Sequence, residues 1–398
     1  MVHKNTLIDL IPKIYPCFFI HLCANHGISP LYMYLSNLSI INFKNIQEAQ
    51  LSFSPGINCF FGKNGEGKTN LLDAIYYLSF CKSHSNPVDS QNIMHDTDFF
   101  VLQALYIEKE VQQEIYCGMK RKQKKVFKRN KKEYDRLSEH IGRVPLVLIS
   151  PSDEELIREG SDERRRFMDM VISQYDHVYM DALMSYNKTL QQRNAMLKNE
   201  DIQDESLWDM YEELMASDAT IVYQKRVDFI KAFTPVFESF YQRISGGREH
   251  ICLNYSSHLS EGDLVKKLRD SRKRDLILGY STVGIHKDDL IMELDGYPIK
   301  RVGSQGQNKS YLIALKLAQF DFLKNAGGKT PILLLDDLFD KLDATRVERI
   351  INLVAGNEFG QIFITDTNRE NADHLLQRTG EDYRIFFVEN GHIEARES

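Results

Sequence analysis

The stretch "CFFGKNGEGKTNLLDAI", Cys59 to Ile75, constrains this chain more than any other. Gly62, four further residues and then Gly67-Lys68-Thr69 fit the spacing G-x-x-x-x-G-K-[ST]. Such a loop turns its backbone N–H groups inward around phosphates, and its lysine reaches the terminal ones. The helix that follows adds a field favourable to anions at its N-terminus. Nucleotide contacts are therefore expected from Gly62, Lys63, Asn64, Gly65, Glu66, Gly67, Lys68, Thr69 and Asn70. Thr69 is also expected to hold Mg²⁺ through its hydroxyl. The flanks agree: "INCFF" suits a buried strand, and "NLLDAIYYLSF" has the apolar spacing of a helix. With glycine near 7% of residues, the four matched positions arise by chance in roughly one or two chains of this length per hundred. The flanking strand and helix make that accident rarer still.

A second stretch supplies what the loop lacks. "ILLLDD", Ile332 to Asp337, reads as an apolar strand that ends in two carboxylates. Asp336 is expected to hold Mg²⁺ opposite Thr69. Asp337 is placed to orient or polarise an attacking water, so Asp337 and Lys68 are the catalytic candidates. Acidic residues at a strand end are common by themselves, but their pairing with a phosphate loop in one chain favours the functional reading. About thirty residues earlier, "VGSQGQNKSYLIALKLAQF" sets Ser304 and Gly306 just before a helix, with Gln307 beside them. Hydroxyl, backbone amides and helix dipole can all face a phosphate there. A simple capped helix after a glycine turn would look the same.

With 398 residues, 42% apolar and 27% charged, the chain has ample material for a core and two or three domains. A net charge of −6 means that any nucleic-acid contact must come from a local patch. Six scattered cysteines show no disulfide framework, and no apolar run is long enough to span a bilayer, so a cytoplasmic setting is expected. Residues 1–32 read as an extension; Cys17, His21, Cys23 and His26 within it fit no usual zinc spacing. Strand-like runs from Met33 lead into the loop, and "FFVLQALYI" and "RVPLVLIS" follow. From Ser161 to about Gln242 the pattern is helical, with Ser161 and Asp162 as capping candidates and a break at Gly246-Gly247. "PILLLDDLF" and "GQIFITDT" read as buried parallel strands. The expected organisation is an ATPase domain in two parts, 33–160 and 276–398, around an inserted, mainly helical domain at 161–275.

The segment around Ser304 resembles the signature motif of ABC-type ATPases, and "DKLD", Asp340 to Asp343, resembles their D-loop. That resemblance implies an α/β fold with an ABC-type P-loop ATPase core built from both chain ends, and a homodimer that sandwiches two ATP molecules. From Met33 onward the chain resembles the bacterial RecF family. The likeness rests on "NFKNIQEAQLSFSPGINCFFGKNGEGKTNLLDAIYYL", "RVPLVLISPSDEELIREGSDERRRFMDMVISQ", "YNKTLQQRNAMLK", "STVGIHKDDL", "GSQGQNKSYLIALKLAQ" and "LLLDDLFDKLD". It implies ATP-dependent binding of DNA at gaps or single-strand/double-strand junctions during recombinational repair. RecR and RecO proteins are the implied partners in loading recombinase onto single strands, with slow, regulatory ATP hydrolysis. Asp337, where many ABC relatives carry Glu, agrees with slow turnover. The chain departs from the family at Ile285 and Lys287, where Pro and Arg are frequent. Thr365, Asp366 and Thr367 stand at the switch position without a histidine, and "SPSDEEL" offers no clear Q-loop glutamine.

Three basic clusters are candidate DNA contacts: "KRKQKKVFKRNKK" from Lys120 to Lys132, Arg164 to Arg166, and "KKLRDSRKRD" from Lys266 to Asp275. Three consecutive arginines on a helix cannot share one face, so at least one should pair with acids or reach the nucleotide. Backbone and shape recognition are the expected modes. The competing reading is the ATP-binding subunit of an ABC-type transporter, which would share loop, signature and acidic strand. A DNA clamp that binds ATP but hardly hydrolyses it is a third.

Overall fold

A computed structural model describes residues 32–199, 204–247, 249–337, 344–355, 359–367 and 382–396. The extension before Tyr32 and the segment "DKLD" lie outside the described residues. Strands β1 (Tyr34–Phe43) and β2 (Ile46–Ser52) form a hairpin, and β3 (Ile57–Phe61) runs into the phosphate loop. Helix α1 (Lys68–Phe80) follows, then β4 (Phe99–Glu108), β5 (Val111–Lys120), β6 (Val126–Arg129), β7 (Lys132–Glu133) and β8 (Leu146–Ile149). The longer helices of the middle region are α2 (Ser161–Ser173), α3 (His177–Leu197), α4 (Glu205–Ser245) and, after β9 (Ile251–Ser256), α5 (Leu264–Leu278). The last third holds β10 (Asp289–Leu294), β11 (Tyr297–Pro298), α6 (Gln305–Gly327), β12 (Ile332–Asp336), α7 (Ala344–Ala355), β13 (Ile362–Asp366), β14 (Tyr383–Glu389) and β15 (His392–Arg396).

The central sheet has the order β15-β14-β3-β13-β12-β8, parallel except for its edge strand β15. Its inner strands "INCFF", "ILLLD" and "IFITD" are buried at every position, as strands covered on both faces must be. Alternate side chains separate two cores. Phe60, Leu334, Phe363 and Phe386 face α1 and an antiparallel sheet ordered β2-β1-β4-β5-β6-β7. Cys59, Phe61, Leu335 and Ile364 face the helices α2, α3, α4 and α6. Helix α1 is thus enclosed between two sheets, which explains why eleven of its thirteen residues are buried rather than one stripe. Gln361 staples the sheets together: its amide accepts from Leu35 N at 2.7 Å and donates to the carbonyls of Leu35 and Ser54 at 2.8 Å.

The helical middle is joined to the rest by buried charge. Arg193, wholly buried, meets Asp275 at 2.7 Å, Ser281 Oγ at 2.7 Å and Glu212 at 3.1 Å. Its neighbour Asn194 accepts from both N and Oγ of Ser281. Arg226 meets Asp169 at 2.8 Å and Asp288 at 2.9 Å, and Tyr255 also donates to Asp288. His286 lies 2.7 Å from Tyr186 Oη, and burial above all pushes its pKa down to about 4. The stretches "QRN" and "STVGIHKDD" are therefore two sides of one contact. The seam expected after Asp275 falls inside α5, and β9 pairs with β10 across it. Helix α2 begins at Ser161 behind Gly160 with no side-chain cap, so Ser161 and Asp162 are helical residues, not caps.

Removing one member of a buried ion pair strands the others, at a cost of about 3–5 kcal/mol. Arg193→Met should therefore lower the urea midpoint by that equivalent, whereas Arg269→Met, at a half-exposed pair with Asp209, should cost under about 1 kcal/mol. Equal midpoints for the two variants would refute the anchoring role of Arg193.

Candidate functional site

The phosphate loop crosses from β3 to α1 under close backbone constraint. A Cβ on Gly62 would lie 2.3 Å from the carbonyl oxygen of Val388, so only glycine passes there. Gly67 has φ 114°, and a Cβ on it would fall 2.7 Å from the side-chain amide of Asn45. Gly67 is also the residue that caps α1, and it brings no side-chain acceptor to the first turn. The amides of that turn are left for another acceptor. Lys68 is buried, with Nζ donating to the carbonyls of Gly62 at 2.7 Å and Lys63 at 3.0 Å. Its charge is folded over the loop beside an open cleft of about 510 Å³ lined by Phe61, Gly62, Lys63, Asn64, Thr367 and Phe387.

Thr69 Oγ1 lies 2.9 and 3.1 Å from the two carboxylate oxygens of Asp336. The fold thus brings together two residues 267 positions apart in the chain. Thr365, wholly buried on the adjacent strand β13, donates to Asp336 Oδ1 at 2.6 Å and accepts from Asp337 N at 3.2 Å. Asp337 has φ 44°, a left-handed conformation that Asp tolerates better than most residues. One hydroxyl thus ties the Asp336 carboxylate to the turn that aims Asp337.

Two hairpin turns buttress the loop, and neither was evident in the sequence. Asn45, between β1 and β2, donates to Glu66 O at 3.2 Å and accepts from Asn70 at 2.7 Å. Gly391, between β14 and β15, donates its N–H to Glu66 O at 2.8 Å, and Asn390 N donates to the Glu66 carboxylate. Asn45 sits in a tight turn and offers no local pattern; only the folded register shows its use.

Ser304 caps α6, accepting from Gln307 N at 3.3 Å while its own N–H donates to Gln307 Oε1 at 2.8 Å. Gly306 lies within the first turn of α6, not before it as the sequence suggested. The groups around this exposed corner are Glu249, 2.8 Å from Gln307 Nε2, and Arg346, which a Cβ on Gly306 would meet at 2.5 Å. The loop Gly62–Thr69 meets Asp336 and the hairpin turns instead. In "SPSDEEL", Asp153 closes a short helix cap at Ser150 and pairs with Lys316 at 2.7 Å. Arg164, Arg165 and Arg166 are all paired with acids, at Asp289, Asp162 and Glu163. Among the described residues no cluster of three or more His, Cys, Asp or Glu could hold a metal by itself, and no helix is long and apolar enough to cross a membrane.

A phosphate loop and an acidic strand on a parallel sheet, joined to an antiparallel sheet and a helical region, define a nucleotide-binding head of the SMC type. Residues 34–394 match the model of the RecF/RecN/SMC N terminal domain. Curated proteins named DNA replication and repair protein RecF from Phocaeicola vulgatus and Bacteroides fragilis are each 60% identical over 366 residues, 92% of this chain and 99% of theirs. A solved structure titled "Structure of the recombination mediator protein RecF-ATP in RecFOR pathway" is similar with TM-score 0.82 and 29% identity, over 92% of this chain and 99% of that one. A solved Smc head shares the fold at TM-score 0.56 and 15% identity, over 91% of this chain and 97% of that one. The chain belongs to the RecF family of DNA replication and repair proteins, and the transporter-subunit alternative is not favoured.

The Thr365 contacts carry a test. Thr365→Val removes a bond to a charged group, worth about 1.5–3 kcal/mol. Magnesium-dependent nucleotide binding should weaken roughly tenfold or more, whereas Thr365→Ser should keep it. Titration calorimetry with and without Mg²⁺ reads this directly, and an unchanged Val variant would show that Asp336 needs no such support.

Proposed function

We propose that the protein is an ATP-dependent DNA-binding factor of recombinational repair and replication restart. In this reading it binds gapped or single-strand/double-strand junction DNA and hydrolyses ATP slowly to end the bound state. The observation that carries the reading is the junction of Thr69, Asp336 and Thr365 at the start of the helix that follows the phosphate loop. Lys68 would leave the Gly62 and Lys63 carbonyls for the β- and γ-phosphates, and the loop amides of Gly62 to Thr69 would surround them. A hydroxyl and a carboxylate in contact are hard oxygen donors, as Mg²⁺ requires, and an ion of this kind takes few protein ligands besides phosphates and water. Thr69 and Asp336 would hold it, and its charge would offset that of the phosphates. Asp337 would orient the attacking water; its short side chain and its constrained backbone suit slow turnover.

Ser304, Gly306 and Gln307 lie beside Glu249 and Arg346 and, among the described residues, make no hydrogen bond to their own chain's loop, which supports a head-to-tail dimer in which this corner closes on ATP held by a second copy. RecR and RecO proteins are the partners this reading implies, in loading recombinase onto single-stranded DNA.

Fluorescence anisotropy of a labelled gapped duplex, with and without ATP, tests the whole. Wild-type protein should bind more tightly with ATP, and Lys68→Ala should lose both nucleotide affinity and the tightening. Identical DNA affinity in both nucleotide states would overturn the proposal. Ser304→Arg should leave ATP binding intact but abolish ATP-dependent dimers in sedimentation velocity; dimers that persist would remove the corner from the interface.

A further inference from the structure

The structure sorts the basic clusters that the sequence left equivalent. Arg164, Arg165 and Arg166 are spent on Asp289, Asp162 and Glu163. On α5, Lys267, Arg269 and Arg272 are tied to Glu261, Asp209 and Glu212. Lys266, Lys273 and Arg274 on α5 are exposed, but Asp270 and Asp275 are interspersed with them, whereas the remaining cluster is unbroken by acids. Nine Lys and Arg and no acidic residue stand between Lys120 and Lys132. They occupy the end of β5, a turn, β6, a second tight turn at Asn130-Lys131 and the start of β7, the outermost strand of the antiparallel sheet. Lys122, Lys124, Lys131 and Lys132 are exposed there, and no ion pair involves them among the described residues. Other cations of the cluster make local contacts: Arg121 donates to Thr97 O at 2.9 Å, Arg129 to Gln113 at 2.9 Å, and Lys128 lies over the ring of Tyr116.

Lys125 is the exception that gives the edge its connection. Its Nζ donates to Cys81 O at 2.5 Å, lies 2.8 Å from Asp89 and is 3.2 Å from Tyr77 Oη. Cys81 is the C-cap of α1, the helix whose other end is the phosphate loop. At 1.5 Å per residue, thirteen residues make a rod of about 20 Å that is buried nearly all round. A shift of the loop on binding nucleotide would be passed along that rod to the base of the basic turn, because a close-packed helix moves as a body.

We propose that this edge, through Lys122, Lys124, Lys131 and Lys132, is the surface that contacts the phosphate backbone of DNA, and that α1 and Lys125 couple it to the nucleotide site. The inference rests on the DNA-binding reading above. The fourfold variant Lys122→Gln, Lys124→Gln, Lys131→Gln, Lys132→Gln should flatten the slope of log affinity against log salt by about 3 to 4, at roughly 0.9 per lost phosphate contact. A control variant, Lys266→Gln, Lys273→Gln, Arg274→Gln, should leave the slope unchanged. Lys125→Met should keep ATP binding and ATP-free DNA affinity but lose the tightening with ATP. Wild-type protein that binds DNA with the slope unmoved in the fourfold variant overturns this inference and leaves the function standing; wild-type protein that binds no DNA overturns both. Full tightening in Lys125→Met would overturn the coupling.

Discussion

A buried carboxylate organises the nucleotide end of this molecule. Asp336 is only 5% exposed, yet it is shared by hydroxyls from two other elements, Thr69 at the start of α1 and Thr365 on β13. A carboxylate so placed is stable only while it is hydrogen-bonded. The carboxylate therefore holds three elements in register: the helix that begins at the phosphate loop, the strand that presents the acid, and the strand beside it. The close approach of Gly62 to Val388 and of Gly67 to Asn45 fixes the loop against the same frame. The site exists because these constraints meet at one end of a parallel sheet.

What the sequence made legible was local. The phosphate loop, the strand before it and the helix after it form one continuous stretch, Ile57 to Phe80, and the apolar runs of β12 and β13 announced buried strands. The pairing of Thr69 with Asp336 follows from chemistry alone, both being hard oxygen donors of the kind expected to hold Mg²⁺. In the sequence Thr365 stands out only for the lack of a histidine nearby; its work depends on β13 lying next to β12, a neighbour relation that no short pattern carries. Asn45 and Gly391 support the loop from turns 21 and 324 or more positions away in sequence, so they were invisible for the same reason. Of the three acids that pair with Arg164 to Arg166, Asp289 was similarly hidden, on a strand more than a hundred residues on, whereas Asp162 and Glu163 stand three positions before their partners.

The buried arginines show a different limit. "QRN" and "VGIHKDDL" were legible as a family likeness without a reason. In the fold, Arg193 and Asn194 hold Asp275 and Ser281, and Arg226 holds Asp288. Such pairs contribute little net stability over apolar packing, but the loss of one partner is costly. Their effect is to specify how the helices α3 and α4 dock on the strap that leads to β10 and then to α6. That docking sets where the Ser304 corner lies, so residues far from any phosphate fix the geometry with which a second copy could meet it.

The position of α1 gives the two sheets a common part. Most surface helices bury one stripe and can slide or tilt on their other side. Here Leu71, Ala74, Ile75 and Leu78 are all enclosed between the antiparallel and the parallel sheet, and Asp73 is fixed by Lys44 at 2.5 Å and by Ser83 Oγ at 2.6 Å. No direction of free motion is left except along with its surroundings. A helix confined in this way transmits displacement instead of absorbing it, since packed interiors have low compressibility. The coupling proposed above draws on this confinement, with Lys125 closing the last turn at the end of α1 far from the loop.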